Sequence, residues 1–548
     1  MQNMKLSFYS PKRLAFLGMV LVLSSALLGA RIEKAFSVDN TMEEISKYTD
    51  VLSLVQKNYV DKVNISELNE AAINGLLSKL DPHSVYMPPK NVKQSAEEFQ
   101  GNFEGIGVRF TMAHDSVLID EVIPTGPSDK VGLIAGDKIY AIDGRKTTGF
   151  VEDSVIHHLR GPKGTKVTVT IARSGMPLES GGPKPLNFEI TRDVIPLNSV
   201  LAHFMVGEGT GYIELSRFIA TSHSEMIAAL EELKAQGMVK LILDLRSNPG
   251  GYLEEAVKIA DEFIGGTKTI VYTKGRVSSF DDIDVSHPGQ AYEKLPLVVL
   301  VNSGSASASE IFSGAMQDLD RAPIVGATTF GKGLVQRQFP LSDGSGLRLT
   351  VSRYYTPSGR SIQRPYDGSK YKHGVTNDDA DEEDNFAHTK DVNANDTTRP
   401  KFKTPSGRTI YGGGGITPDY FVKEDTLTKS TVRIFAASIP YDYIRNFIGE
   451  HAPEMKKKYT ADTYVRDYRV DDDLIKQFLA RAKEKKIEFD PKEIALDKAW
   501  ILTRIRADIG RQLFDENVYF KIDLENDKQF QKAFTLMTEA QKMALSFK

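Results

Sequence analysis

The chain of 548 residues is too long for one ordinary domain and implies three or four folded units in series. Its 69 basic and 73 acidic residues give a formal charge of −4, so no basic excess exists to drive non-specific nucleic-acid binding, and no nucleic-acid partner is expected. With 41% hydrophobic and 26% charged residues the chain can build ordinary cores, while the absence of cysteine removes disulfide frameworks, thiolate metal sites and cysteine nucleophiles.

At the start, Lys5, Lys12 and Arg13 precede an uncharged, largely apolar run over residues 14–30, and Arg31 and Glu33 then return the chain to water. This pattern is an export signal, and it puts the body of the protein outside the cytoplasm, in the periplasm. Two fates stay open for residues 1–35. The apolar run is just long enough for a tilted span in the inner membrane, and Leu28-Gly29-Ala30 is a poor cleavage pattern, so retained anchor and removed signal are both consistent with it.

Residues 36–93 read as a helical prelude, because Leu52, Val55 and Tyr59, then Leu68, Ala72, Leu76 and Leu80, recur at helical spacing. From 94 to 193 the pattern changes to short alternating runs such as 117–122 and 166–171, punctuated by Gly and Pro, which predicts a compact β module. Residues 194–425 alternate: strand 211–215, helix 224–234, strand 239–245, helix 253–264, strand 295–301, helix 308–319. This is an α/β layer. An acidic insertion interrupts its end at about 366–400, with eight acids against one Lys between Asn377 and Asp396, and is expected to be a solvated loop. Helical periodicity returns over 426–548, for example at Ile475, Phe478, Leu479 and Ala482 and again at Phe530, Ala533 and Phe534, predicting a separate helical tail. No spacing of His residues suggests a metal.

The chemistry concentrates in three segments. In the first, a buried strand ending at Asn302 runs through Ser303-Gly-Ser305-Ala-Ser307-Ala-Ser309-Glu310 into a helix. Ser307 and Glu310 have the S-x-x-E spacing of a capping box, which puts Ser307 at a helix N-terminus, where backbone N–H groups favour developing negative charge. That position suits a nucleophile, although a plain helix cap satisfies the same pattern. The second is Gly331-Lys332-Gly333 at the end of an apolar strand. A lysine can serve as the base a serine hydroxyl requires if burial depresses its pKa, and in an extended segment Gln336 would share its face and orient the amine; a solvated loop lysine is the ordinary alternative. The third is the strand-to-helix turn Arg246-Ser-Asn248-Pro249-Gly250-Gly251, whose N–H groups could join that of Ala308 in an oxyanion hole.

Rival readings fail on detail. Gly326 to Lys332 fits G-x-x-x-x-G-K, but Gly333 stands where a phosphate loop needs Ser or Thr, and no helix can follow before Pro340. An S-x-x-K pair at Ser369 and Lys372 lies in polar sequence without helical pattern.

Together with Leu80-Asp-Pro-His-Ser-Val-Tyr86, Phe103-Glu-Gly-Ile-Gly107, Gly136-Asp-Lys-Ile, Leu159-Arg-Gly-Pro-Lys-Gly-Thr165, Tyr355-Thr-Pro-Ser-Gly359 and Gly415-Ile-Thr-Pro-Asp419, these segments resemble the carboxyl-terminal processing proteases, S41 serine endopeptidases with a Ser-Lys dyad and an embedded PDZ domain. The resemblance spans roughly residues 50–422. It implies an α/β multidomain protein: an N-terminal helical segment, a PDZ β module, a crotonase-like protease core and a C-terminal helical extension. By the same resemblance Ser307 is the nucleophile, Lys332 the general base and Gln336 its orienting partner, with oxyanion donors at Ala308 and in the Gly250 to Gly251 turn, the two glycines not being distinguished. Some relatives use a histidine base, for which His203, His223 and His287 are the candidates. The PDZ carboxylate loop falls on Gly105, Ile106 and Gly107, followed by the strand from Val108. The helix over 151–159 forms the other wall, and Arg160 is either a coupling residue between the two sites or a surface charge. The resemblance implies an exported endopeptidase that cleaves proteins near apolar or unfolded C-termini through an acyl-enzyme and needs no cofactor. It leaves room for an activating or adaptor protein and for a homo-oligomer. A non-catalytic peptide-binding scaffold is the second reading, and the presence of both Ser307 and Lys332 speaks against it.

Overall fold

The computed structural model describes residues 39–113, 116–173, 178–179, 182–183, 185–365 and 399–547. The expected signal or anchor and nearly all of the acidic insertion lie outside these residues. Among the described residues, no helix is long and apolar enough to cross a membrane.

The chain divides into two compact units, one ending at Asp81 and one beginning at Pro82. The first contains the two helices expected of the prelude, Asp39–Asn58 and Ile65–Leu77. Asn64 caps the second by accepting from the Ser66 N–H at 3.1 Å, and Tyr48 Oη reaches Asn69 Oδ1 at 2.8 Å to join the pair.

In the second unit the PDZ module is an antiparallel sheet in the order Leu186–Thr191, Lys166–Ala172, Lys138–Ile142, Ser116–Val122, Val108–Ala113. Alternation decides what it buries: Val167, Val169 and Ile171 enter the core with Ile119, Ile139, Val155 and Leu159, while the residues between them face outward. Val108–Ala113 ends the sheet, so among the described residues one of its two backbone edges has no strand partner.

The protease core is a six-stranded sheet in the order Val200–Gly207, Thr210–Leu215, Lys240–Asp244, Leu297–Val301, Ile324–Gly326, Tyr420–Phe421. Only the first pair is antiparallel. Every residue of Leu297–Val301 is buried, as a parallel strand covered on both faces requires. Leu297, Val299 and Val301 meet the helices Ser222–Ala235, Leu253–Asp261 and Ala308–Asp318. Val298 and Leu300 point the other way and meet Leu524, Ala533, Leu536, Met537 and Ala540 of the C-terminal extension.

That contact revises the expectation of a separate tail. Helices from Lys429–Ala436 to Lys498–Leu513 do build a core of their own around Tyr464, Phe478 and Ile505. The last helices, Lys528–Thr535 and Met537–Ser546, instead form the second outer layer of the catalytic sheet. The stripe of Phe530, Ala533 and Phe534 is apolar because it covers the sheet. A third sheet pairs Leu334–Pro340 with Gly346–Tyr355 and carries the strand that follows Lys332.

Candidate active site

Ser307 stands at the junction of Leu297–Val301 and the helix Ala308–Asp318, all eleven residues of which are buried. Its backbone has φ 53° and ψ −113°, a conformation that costs on the order of 1–3 kcal/mol for a non-glycine residue. Surrounding bonds hold it there. Ser305 Oγ donates to the Leu245 carbonyl at 2.7 Å, Ser309 Oγ donates to the Asn248 carbonyl at 2.9 Å, and the Ala306 N–H donates to the same carbonyl at 3.0 Å. The two flanking serines are therefore staples to the neighbouring strand end, and the middle serine, half exposed among buried neighbours, is the one facing outward.

Glu310 does more than close the expected capping box. Its Oε2 accepts from the Ser307 N–H and from the Lys332 N–H, both at 2.9 Å. Its Oε1 accepts from the Gly331 N–H at 2.7 Å and from Thr329 Oγ1 at 2.5 Å. Burial pushes this carboxyl above its ordinary range, and the four donors pull it back toward the charged form. On the carbonyl side, Tyr354 Oη lies 2.7 Å from the Lys332 oxygen and 3.1 Å from the Ser307 oxygen, its single proton shared between them. Burial raises the Tyr354 phenol well above its usual range, so it stays a donor. One carboxylate and one phenol thus bind the backbones of residues 25 positions apart in the chain, N–H groups to Glu310 and carbonyls to Tyr354.

Gly331 explains why Lys332 is flanked by glycine. At φ 92°, a Cβ there would lie 2.9 Å from Arg364 Cβ and 3.0 Å from the Gly415 nitrogen, so only glycine fits between those segments. Gln336 lies on the strand Leu334–Pro340 that follows Lys332. The pairing shifts register between Val335 and Gln336, with the extra residue, Val351, on the partner strand, and Gln336 Nε2 donates to Thr350 Oγ1 at 3.3 Å. This bond ties the Gln336 amide nitrogen to the neighbouring strand.

The turn after Lys240–Asp244 packs directly on the nucleophile. A Cβ on Gly250 would lie 2.7 Å from the Ala306 oxygen and 2.8 Å from both the Ala308 nitrogen and Ser307 Cβ. The structure also separates the two glycines. The Gly250 N–H donates to Asn248 Oδ1 at 2.9 Å, whereas the Gly251 and Ala308 N–H groups have no acceptor among the described residues. The three histidines are otherwise employed: His203, His223 and His287 pair with Glu232, Glu262 and Asp261.

All five residues expected of the PDZ groove meet around one small cavity of about 80 Å³, lined by Gly105, Ile106, Gly107, Val108 and Arg160 together with Phe103, Ile156 and Leu159. The last three were missed from sequence, though Ile156 and Leu159 follow from helical spacing on the 151–159 wall. The Ile106 carbonyl accepts from the Ser128 N–H and Oγ, at 3.0 and 2.6 Å, which fixes the loop while leaving the Ile106 and Gly107 N–H groups without an acceptor among the described residues. Glu310 was visible in sequence only as a cap, and Tyr354 carried no signal beyond being a tyrosine in a strand. Among the described residues, no cluster of His, Asp and Glu has the arrangement to hold a metal ion.

Comparison with known proteins agrees with this architecture. Family models match in chain order: an activating protease CtpB N-terminal domain at residues 16–91, a PDZ domain at 105–180, peptidase family S41 at 209–378, and a family of unknown function at 431–515. A carboxy-terminal-processing protease of Bartonella bacilliformis is 37% identical over 360 residues, covering 64% of this chain and 80% of the relative. The carboxy-terminal processing protease CtpB of Bacillus subtilis is 35% identical over 60% of this chain and 66% of its own length. Among solved structures, a photosystem II D1 C-terminal processing protease is 26% identical, covers 70% of this chain and 93% of that one, and superposes with a TM-score of 0.35. With the PDZ module, the S41 core and these relatives in place, the chain belongs to the carboxy-terminal-processing proteases, serine-type peptidases of family S41.

Proposed function

We propose that this protein hydrolyses peptide bonds near the C-termini of proteins whose apolar or unfolded tails its PDZ groove captures, with Ser307 as nucleophile and Lys332 as general base. The observation that carries the reading is the double tie between these two residues through Glu310 and Tyr354, which holds the backbones of a hydroxyl-bearing and an amine-bearing residue side by side at a buried helix N-terminus. Ser307 Oγ attacks the scissile carbonyl as Lys332 Nζ takes its proton. The carbonyl oxygen becomes an oxyanion stabilised by the Ala308 and Gly251 N–H groups. Lys332 then passes the proton to the leaving amine, giving an acyl-enzyme and a free C-terminal fragment. Water, deprotonated by the same amine, releases the acyl group and restores Ser307.

Tail capture rests on the loop at Gly105 to Gly107. Its Ile106 and Gly107 N–H groups, without an acceptor among the described residues, suit a carboxylate, and the edge of Val108–Ala113 that no described strand pairs suits an added strand. Arg160 then has the role of reporting occupancy of that groove to the catalytic turn. The export pattern at the N-terminus supports a substrate pool in the periplasm.

The test is degradation of an unfolded protein with an apolar C-terminus by the full chain, compared with Ser307→Ala and Lys332→Ala, with the tail free or amidated. Loss of cleavage in both variants and slowing by amidation are expected. Undiminished cleavage by either variant removes the dyad, and indifference to amidation removes carboxylate capture.

A further inference from the structure

The strand Lys240–Asp244 presents alternate residues to opposite faces of the catalytic sheet. Leu241, Leu243 and Leu245 meet the helices on the Ser307 side, and Ile242 meets the C-terminal extension. Asp244 and Arg246 continue the second series: Asp244 Oδ2 accepts from Tyr212 Oη at 2.8 Å on that face, and Arg246 reaches the extension itself. Arg246 is also the first residue of the turn that ends at Gly250 and Gly251. Its side chain belongs to one layer and its backbone leads into the site.

Two sets of bonds hold Arg246. Asp244 Oδ1 accepts from the Arg246 N–H and from Nε, both at 2.9 Å, and Asp244 Oδ2 accepts from Nη2 at 2.6 Å. Nη1 donates to Asp527 Oδ2 at 2.5 Å and to Gln529 Oε1 at 3.1 Å. Both of these acceptors are fixed from behind. Asp527 caps the helix Lys528–Thr535 with its other oxygen, which accepts from the Gln529 and Phe530 N–H groups at 2.8 and 3.0 Å. Gln529 is buried, and its Nε2 donates to the Val422 carbonyl at 2.9 Å. A helix N-terminus repels a cation, so these two side chains, and not the helix, draw Arg246 to the extension.

From Arg246 the chain turns sharply into the site. Ser247 has φ 56°, a left-handed conformation that a non-glycine residue keeps only when its neighbours hold it, and its N–H donates to Asn302 Oδ1 at 2.7 Å. The Asn248 carbonyl then accepts from the Ala306 N–H and from Ser309 Oγ, on either side of Ser307, while the Asn248 side chain takes the Gly250 N–H. Gly251 follows next.

We infer that Asp527 and Gln529 are positioning residues for hydrolysis: through Arg246, the C-terminal extension sets the place of the turn that presents the Gly251 N–H to the oxyanion. The inference rests on the reading of that N–H as an oxyanion donor. It gives the extension a part in turnover. Loss of a whole oxyanion donor lowers turnover by about a hundred- to a thousandfold, so displacing one without removing it costs about tenfold.

The test uses the full chain with Asp527→Asn, Gln529→Leu and the two combined, beside Glu539→Gln, which weakens the attachment of the same layer at Tyr420 without touching Arg246. Rates on a short chromogenic peptide are taken per folded molecule. The combined variant is expected to lose about tenfold in kcat with KM within about twofold, each single variant about threefold, and Glu539→Gln is expected to keep wild-type kcat. The second readout compares a peptide aldehyde with the same peptide ending in an alcohol. Ser307 Oγ adds to the aldehyde carbon, its proton passing to Lys332, and the former carbonyl oxygen takes the oxyanion position, whereas the alcohol only fills the cleft. Aldehyde affinity is expected to fall about tenfold in the combined variant, with alcohol affinity within about twofold of wild type. Should the combined variant not fold, Gln529→Leu alone decides by the same two readouts. Wild-type kcat with an unchanged aldehyde preference in the folded variant overturns the inference while the oxyanion reading stands. An equal loss in Glu539→Gln also overturns it, since the extension then acts only by supporting the core. A wild-type enzyme that binds the aldehyde no better than the alcohol overturns the oxyanion reading and this inference with it.

Discussion

Arg160 Nη1 lies 3.0 Å from Glu97 Oε2, with its guanidinium 4.6 Å from the centre of the Phe103 ring. The pair joins the wall of the tail pocket to the helix Pro89–Gln100. Two residues on, in the same last turn, that helix touches the catalytic side: the Phe99 carbonyl accepts from the Ala220 N–H at 3.0 Å, and the Phe99 ring lies 5.0 Å from that of Tyr252, the residue after Gly251. A physically continuous route therefore links the groove to the Gly250 to Gly251 turn beside Ser307.

If this route carries the coupling, Arg160→Ala and Glu97→Gln leave tail affinity within about threefold and change stability by less than about 1 kcal/mol, because the pair is partly solvent-exposed. What they remove is the acceleration that a captured tail gives. The measurement is kcat on a tailed protein relative to kcat on a short peptide too small to fill the groove. A ratio equal to wild type in both variants rules the route out.

Glu310 and Tyr354 offer a sharper test of the catalytic geometry. Glu310→Gln keeps the size but turns an acceptor into a donor against N–H groups, leaving at least one pair of buried donors unsatisfied. The expected cost is about 2–4 kcal/mol, with turnover lowered by about a hundredfold from misplacement of the reacting groups. Tyr354→Phe removes only the shared hydroxyl bond, costing about 1–2 kcal/mol. Its signature is a fall in kcat with KM nearly unchanged, since the phenol touches no substrate. Wild-type kcat in a folded Tyr354→Phe enzyme would show that the carbonyl tie has no catalytic consequence.

The strand and helix order of the core was legible because each element buries one face and so repeats at its own period. Ser307 was legible for a local reason, the three-residue spacing to Glu310. The contacts that join Ser307 to the other segments were not, because they form only when distant segments meet in the fold. Glu310 meets the Lys332 N–H only after an entire strand and loop have returned to the same place. Gly250 and Gly251 are adjacent glycines in one turn, and only the Asn248 side chain, which occupies the first N–H, distinguishes them. The bond from Gln336 to Thr350 likewise depends on the pairing of two strands and the bulge at Val351.

Removing the C-terminal extension tests less than it promises. The last helices cover one face of the catalytic sheet, and Arg246, which bonds Asp244 at the end of the central strand, also reaches Asp527 Oδ2 at 2.5 Å and Gln529 Oε1 at 3.1 Å. Truncation after Glu424 exposes Phe204, Tyr212, Ile242 and Val298 together, and the expected product is aggregated. Single substitutions separate the contributions. Asp527→Asn weakens one contact of Arg246 and costs about 1 kcal/mol, while Arg246→Ala leaves buried Asp244 beside Glu214 and Tyr212 and costs about 3–5 kcal/mol. Urea denaturation of both variants measures this. A soluble, cooperatively folded truncation would show that the extension is dispensable to the core.

Asp120 sets a pH dependence of opposite sign to that of most carboxylates. Burial pushes its carboxyl from 3.8 up to about 7, against the hydrogen bond from Thr111 and the attraction of Arg445 and Arg109, and the neighbouring Glu121 adds to the rise. In the unfolded chain the group loses its proton near pH 4, whereas in the folded protein it keeps it until about pH 7. Between these values the native state binds more protons, so stability falls as pH rises and levels off above about pH 7. Partial exposure limits the effect to on the order of 1–2 kcal/mol. Asp120→Asn has no proton to lose, so it flattens this part of the profile and stabilises the protein at pH 8 while changing little at pH 4. Melting temperatures of wild type and variant across pH 4–8 are the measurement; parallel profiles would mean that Asp120 titrates alike in the folded and unfolded chain.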